Sequence, residues 1–146
     1  MIDIWSKILV AVDGSESNKI AVKKAVSMAK ALGSELTAVT VVNGADVQPN
    51  AFGGDVSQEE RQMITDKSSK AALDYVKSVA EQEGVKLEVK VLAGNPAKEI
   101  VKISKDYDLI ICGSLGLTGI TKLLLGSVST AIVKYADCSV LIAREE

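Results

Sequence analysis

Apolar runs of strand length alternate with amphipathic stretches along the whole chain. Ile8 to Val12 is continuously apolar and stops at Asp13-Gly14-Ser15, which predicts a buried strand and then a turn. Ser15 or Ser17 can cap the helix that follows, whose inward stripe is Ala21, Ala25, Met28 and Leu32 with Val22 and Ala29 beside it. Gly33 stands where a helix-closing glycine belongs. Leu36 to Val42 is a second apolar strand, expected to be covered on both faces. Residues Asn43 to Val56 carry Gly44, Pro49, Gly53 and Gly54 without any period, and read as a loop, either a lid or a plain variable connection. A helix starting at Ser57 packs through Ala72, Tyr75, Val76, Val79 and Ala80 and ends at Gly84. Val85, Leu87, Val89 and Val91 then alternate with Lys86, Glu88 and Lys90, the mark of a half-exposed strand. Asn95-Pro96 opens a third helix with Pro at its first position, and Glu99 is placed to complete a capping arrangement. Leu109 to Cys112 is the fourth strand. Gly126 to Ala136 holds a helix patterned on Val128, Ala131, Ile132 and Tyr135, and Val140 to Ala143 is the last strand.

Such alternation demands a parallel sheet with helices on both faces, a three-layer, doubly wound α/β fold. The half-exposed third strand belongs at an edge, whereas the first, second and fourth are apolar enough to be central. The order 3-2-1-4-5 satisfies both conditions. It creates a topological switch between the first and fourth strands, where ligands bind beyond the carboxyl ends. Asp13 follows the first strand and Gly113 the fourth, so both are expected at one crevice. Neither an internal repeat nor a linker divides the chain, and residues 1–146 are read as a single domain.

Composition narrows the function. Hydrophobic residues make up 47% and charged residues 25%, as in a soluble globular protein, and aromatics only 3%, so the core must rest on Val, Ile, Leu and Ala. A net charge of −2 offers no electrostatic reason to expect nucleic acid or an acidic membrane as partner. No apolar run approaches the roughly 20 residues that span a bilayer. The start, Met1 to Lys7, has neither the basic residues nor the long apolar stretch of a signal peptide, so a cytoplasmic location is expected. The chain contains no histidine, which excludes Ser-His-Asp and Cys-His catalysis and imidazole zinc sites. Cys112 and Cys138 lack metal-ligand spacing; Cys112 reads as a small buried hydrophobe and Cys138 as a partly exposed turn residue.

Gly113, Gly116 and Gly119 follow the fourth strand at three-residue spacing, and Gly126-Ser127 opens the next helix. Backbone without Cβ atoms approaches an oxyanion closely, and the free N–H groups of a helix start favour negative charge. That is phosphate-holding chemistry. It is not a Walker loop, because no Lys-Ser/Thr pair follows the last glycine, nor does it match G-x-G-x-x-G, which disfavours nicotinamide cofactors. Plainer readings stand beside these: the glycines make turns, Ser127 caps a helix, Asp13 is a turn residue and Lys122 is solvated. In the functional reading Asp13 bonds a ribose hydroxyl or holds Mg²⁺ against phosphates, Ser127 and Ser129 add hydroxyl contacts, and Lys122 leans toward phosphate.

Gly113-x-x-Gly116, nine residues, then Gly126-Ser127 resembles the G-x2-G-x9-G-[S/T] signature of the ATP-binding branch of the universal stress protein family. The likeness covers nearly the whole chain. Ile8 to Ser15 looks like the family's opening strand and loop, Gly94-Asn-Pro96 like its usual lead-in to the third helix, and Asp108 to Ser114 and Leu124 to Ser129 also match. The resemblance implies an adenine nucleotide α-hydrolase-like fold and an ATP-binding regulatory protein of the stress response. Adenine would lie against the end of the second strand near Val41. Ala11 and Asp13, with Ser15 beside them, would border the adenosine and a Mg²⁺ or Mn²⁺ ion held by Asp13. Cys112, Gly113, Leu115, Gly116 and Gly119 would wrap ribose and phosphates, and Gly126, Ser127, Val128 and Ser129 would hold the phosphate end. It further implies a homodimer through the last strand, Val140 to Ala143. Two positions depart from the pattern: Ala11 stands where some members have Pro, and Ser139 where many have Pro. Two alternatives stay open: a slow ATPase or phosphoryl-transfer enzyme, and a nucleotide-free dimeric scaffold.

Overall fold

Residues 4–42, 58–114 and 125–144 are described by a computed structural model. The chain runs β1 (Lys7–Ala11), α1 (Asn18–Leu32), β2 (Glu35–Val42), α2 (Gln58–Glu83), β3 (Leu87–Ala93), α3 (Pro96–Ile103), a 3₁₀ turn (Ser104–Asp106), β4 (Leu109–Gly113), α4 (Ser127–Tyr135) and β5 (Ser139–Ala143). All pairings are parallel, and the strands form one five-stranded sheet in the order β3-β2-β1-β4-β5, as expected.

Alternation along each strand sends side chains to two opposite faces. Ile8 and Val10 of β1 join Leu109 and Ile111 of β4 under α1 and α2, against Val22, Val26 and Val76. Leu9, Ile110 and Cys112 project the other way, into a second cluster with Ile100 of α3 and Ile132 of α4. β1 and β4 therefore read as unbroken apolar runs because both of their faces are covered.

The helix ends follow local chemistry. Gly33 and Gly84 adopt positive φ (67° and 68°), and Ser34 N–H and Val85 N–H bond back to Ala29 O and Ala80 O. Asn95 caps α3 by accepting from Lys98 N–H at 3.0 Å. Glu99 lies against Gly94, where a Cβ would come within 3.1 Å of its side chain, and reaches Lys102 at 3.5 Å.

Several expectations shift by a residue or a face. β3 starts at Leu87 because Val85 is taken by the closing turn of α2, and it runs on to Ala93. Val91, expected inward, is 38% exposed, while Leu92 packs into the second cluster. In α1 the buried stripe is Ala21, Val22, Ala25, Val26 and Ala29; Leu32, expected within it, is 51% exposed. Tyr135 of α4 is likewise exposed, and Leu73 of α2 is buried. The loop expected over Asn43 to Val56 lies outside the described residues, as does Ser57, the expected start of the second helix.

Candidate functional site

The register of β1 against β4 pairs Ile8 with Leu109, Leu9 with Ile110 and Val10 with Ile111. Asp13 is three residues beyond Val10, and Ser114 is three beyond Ile111. Both chains leave the sheet at the same end, side by side, so the two expected halves of the site share one rim.

On the β1 side, Asp13 is exposed and its Oδ1 accepts from Ser15 N–H at 2.9 Å and from Ser15 Oγ–H at 2.7 Å. Gly14 takes φ +80° beneath α2, where a Cβ would lie 3.5 Å from Ala72. Neither expected cap of α1 is a simple one. Ser17 holds the N-cap position without a side-chain cap bond, whereas Ser15 Oγ accepts from Asn18 N–H at 3.2 Å. Asn18 itself was not anticipated. Its Oδ1 accepts from Asp13 N–H at 3.3 Å and its Nδ2 donates to Ala11 O at 2.8 Å, tying the strand end to the turn. The available signal was a polar residue three places before Ala21, at the head of an apolar stripe.

β2 outruns β1. Their last pair is Ala11 with Val39, and Val12 N–H donates to Val39 O at 2.9 Å. Val42 O turns to the other side, accepting from Gly94 N–H. By the same alternation the main-chain groups of Val41 face the β1 side, beyond the end of β1, where a flat heterocycle edge could meet them.

On the β4 side two hydrogen bonds close the neck of the glycine loop. Gly126 N–H donates to Ser114 O at 2.9 Å, and Ser129 Oγ–H donates to Gly113 O at 2.6 Å. Ser129 is buried, so its hydroxyl fastens α4 to β4; it was expected to face phosphate. Ser127, expected as the cap, is the first residue of α4 and exposed, because Gly126 takes the N-cap position. Thr130 N–H is the first to bond within the helix, to Gly126 O. The N–H groups of Ser127, Val128 and Ser129 therefore have no acceptor inside α4, an arrangement suited to an anion. The side chains of Val128 and Cys112 pack into the second core, which leaves their main chain as the part available at the rim. Leu115, Gly116, Gly119 and Lys122 lie outside the described residues.

Nucleophilic chemistry by cysteine is not supported. Burial pushes the Cys112 thiol from 9.0 to about 11, against the lowering effect of its hydrogen bond with Ser129. The Cys138 thiol is also raised, by burial first and then by the charges of Asp108 and Asp137. The folded protein keeps the Cys112 proton at pH values where the unfolded chain releases it, so stability falls as pH rises from about 9 to about 11. Over that window wild type should lose about 2 kcal/mol more unfolding free energy than Cys112→Ala, read from urea melts at each pH. Parallel slopes would refute it.

Among the described residues no three His, Cys, Asp or Glu side chains gather to hold a metal ion. Asp13 offers one carboxylate. Mg²⁺ commonly takes one or two carboxylates together with phosphate oxygens and water, so this donor set fits an ion carried by a nucleotide and not a protein-made cage.

The sequence profile of the universal stress protein family matches residues 5–144. Universal stress protein MJ0531 of Methanocaldococcus jannaschii is 36% identical over 98% of this chain and 84% of its own length. Hypothetical protein MJ0577 superposes with a TM-score of 0.80 at 28% identity, covering 98% of both chains. A universal stress protein in complex with cAMP shares the fold, with a TM-score of 0.71 at 24% identity over 97% of this chain and 98% of its own. With a profile match over residues 5–144 and 98% of its length aligned to a relative more than a third identical, this chain belongs to the universal stress protein family.

Proposed function

We propose that the chain binds an adenine nucleotide, ATP with Mg²⁺ or Mn²⁺, at the switch point between β1 and β4, and acts as a ligand-dependent regulatory module in a stress response. The observation that carries this reading is the shared rim, on which the Asp13 turn stands beside the neck closed by Gly126 N–H and Ser114 O. Adenine would lie by the main chain of Val41, with Ala11 and Asp13 along the ribose and metal side and the buried Ser15 behind Asp13. Gly113, Leu115, Gly116 and Gly119 would wrap the phosphates, and the N–H groups of Ser127, Val128 and Ser129 would grip their far end. A relative of the same fold that holds cAMP makes adenine nucleotides the first probes to use.

Regulation is favoured over turnover because Asp13 is the carboxylate at the described rim and both thiols stay protonated at neutral pH. A carboxylate committed to the metal cannot also orient water. We further propose that residues 1–146 act as one domain in the cytoplasm and dimerise through β5. That edge strand keeps Val140, Leu141 and Ile142 only half-buried, and Ser139 supplies an N–H there that proline would lack.

Denaturing the purified protein and weighing the released small molecules by mass spectrometry tests the reading. Adenine nucleotide should appear from wild type and be absent from Gly116→Arg. Failure of both to bind Mg·ATP or Mn·ATP in calorimetry would remove it.

A further inference from the structure

Asn18 is 5% exposed, a polar amide on the face of α1 that otherwise buries alanine and valine. A buried amide is retained where every polar atom finds a partner. Here the two ends of the side chain hold two main-chain groups on either side of Val12: Ala11 O at 2.8 Å and Asp13 N–H at 3.3 Å. The N–H of Asn18 in turn reaches Ser15 O and Ser15 Oγ, each at 3.2 Å. Ser15 is itself only 8% exposed, and its amide and hydroxyl both donate to the same oxygen of Asp13, Oδ1.

This set of bonds has a directional consequence. The backbone of Asp13 cannot move without breaking the bond to Asn18, and its carboxylate cannot turn over without breaking both bonds from Ser15. Oδ1 is engaged by the turn, which leaves Oδ2 as the oxygen of this exposed carboxylate outside these bonds. A carboxylate aimed in advance binds a cation without the ordering cost of a freely rotating one.

We propose that Asn18 and Ser15 are positioning residues for Asp13, holding Oδ2 toward the divalent ion of a bound nucleotide and so setting how much that ion strengthens binding. This rests on the nucleotide reading above. Neither residue needs to touch the ligand. Their effect should therefore appear in the metal-dependent part of the affinity and leave the metal-free part alone.

Calorimetric titration with ATP in excess chelator, and again in Mg²⁺, separates the two parts, with urea midpoints followed for every variant. Ser15→Ala should keep the metal-free affinity within about twofold and lose about tenfold of the gain that Mg²⁺ confers, the size of one charge-assisted hydrogen bond. Ser15→Thr, which keeps the hydroxyl, should restore that gain. Asn18→Ser, whose side chain is too short to span Ala11 and Asp13, should also lower the gain. In the ligand-free protein it should speed hydrogen exchange of the Asp13 amide, a readout independent of binding. An undiminished Mg²⁺ gain in Ser15→Ala, or an equal loss with and without Mg²⁺, overturns the positioning role. So does wild type that binds ATP equally in both buffers, with the nucleotide reading intact. Wild type that binds ATP in neither buffer removes the nucleotide reading itself.

Discussion

Ile110→Ala is expected to lower the unfolding free energy by about 3–5 kcal/mol, the range for truncating a large buried aliphatic side chain. Ile110 is fully buried in β4, paired with Leu9 on one side and Val140 on the other. Its side chain fills the space between the sheet and α3 and α4, among Leu9, Val39, Ile100 and Ile132. The parallel ladder fixes the backbone on both sides, so the neighbours cannot collapse into the void, and a rigid cavity costs most. Urea denaturation should show a lower midpoint with little change in slope. Leu32→Ala is the informative contrast. Isoleucine and leucine are alike in size and hydrophobicity, yet Leu32 is 51% exposed at the end of α1, and its truncation should stay within about 0.5 kcal/mol. A loss under about 1 kcal/mol for Ile110→Ala would mean that the second core is not packed as described.

Mg·ATP at about 100 times its dissociation constant should raise the unfolding free energy by about 2.7 kcal/mol. For a chain of 146 residues that corresponds to roughly 10 °C in melting temperature. The size of the effect follows from where the site comes from. In the proposed site the Asp13 turn, the main chain of Val41 and the first N–H groups of α4 come from segments distant in sequence, which only the folded sheet can bring to a common ligand. The unfolded chain offers no comparable grip, so binding stabilises the native state alone. Scanning calorimetry against nucleotide concentration measures it directly. A melting temperature that does not move in millimolar Mg·ATP would leave the family fold standing and take away the proposed ligand.

The layered fold was legible because each of its determinants is local. Strand runs such as Ile8 to Val12, the alternation around Leu87 and Val89, and the closing glycines Gly33 and Gly84 act through neighbouring backbone geometry, which sequence periodicity reports. Strand order followed from asking which strands are apolar on both faces, and that question also brought Asp13 and Gly113 to one crevice. The helix faces were less legible. Leu32 and Tyr135 continue a helical stripe in the sequence, but each is the last residue of its helix and stays exposed.

The site divides along the same line. Spacing in the sequence marks its glycines, its carboxylate and the serine at the head of α4 as candidates, and the register of β1 against β4 brings Asp13 and Gly113 to one end of the sheet. What each hydroxyl and amide does is not legible in that spacing. Ser129 meets Gly113 across 16 residues of chain, and Asn18 becomes a brace only because β1 ends where α1 begins, with Ala11 O turned toward it. Residue pattern decided which elements form and roughly where they lie in the sheet. Tertiary packing alone decided which polar atoms face the crevice and which bind the scaffold together, because a hydrogen bond depends on a partner's position to within a fraction of an ångström and periodicity carries no such information.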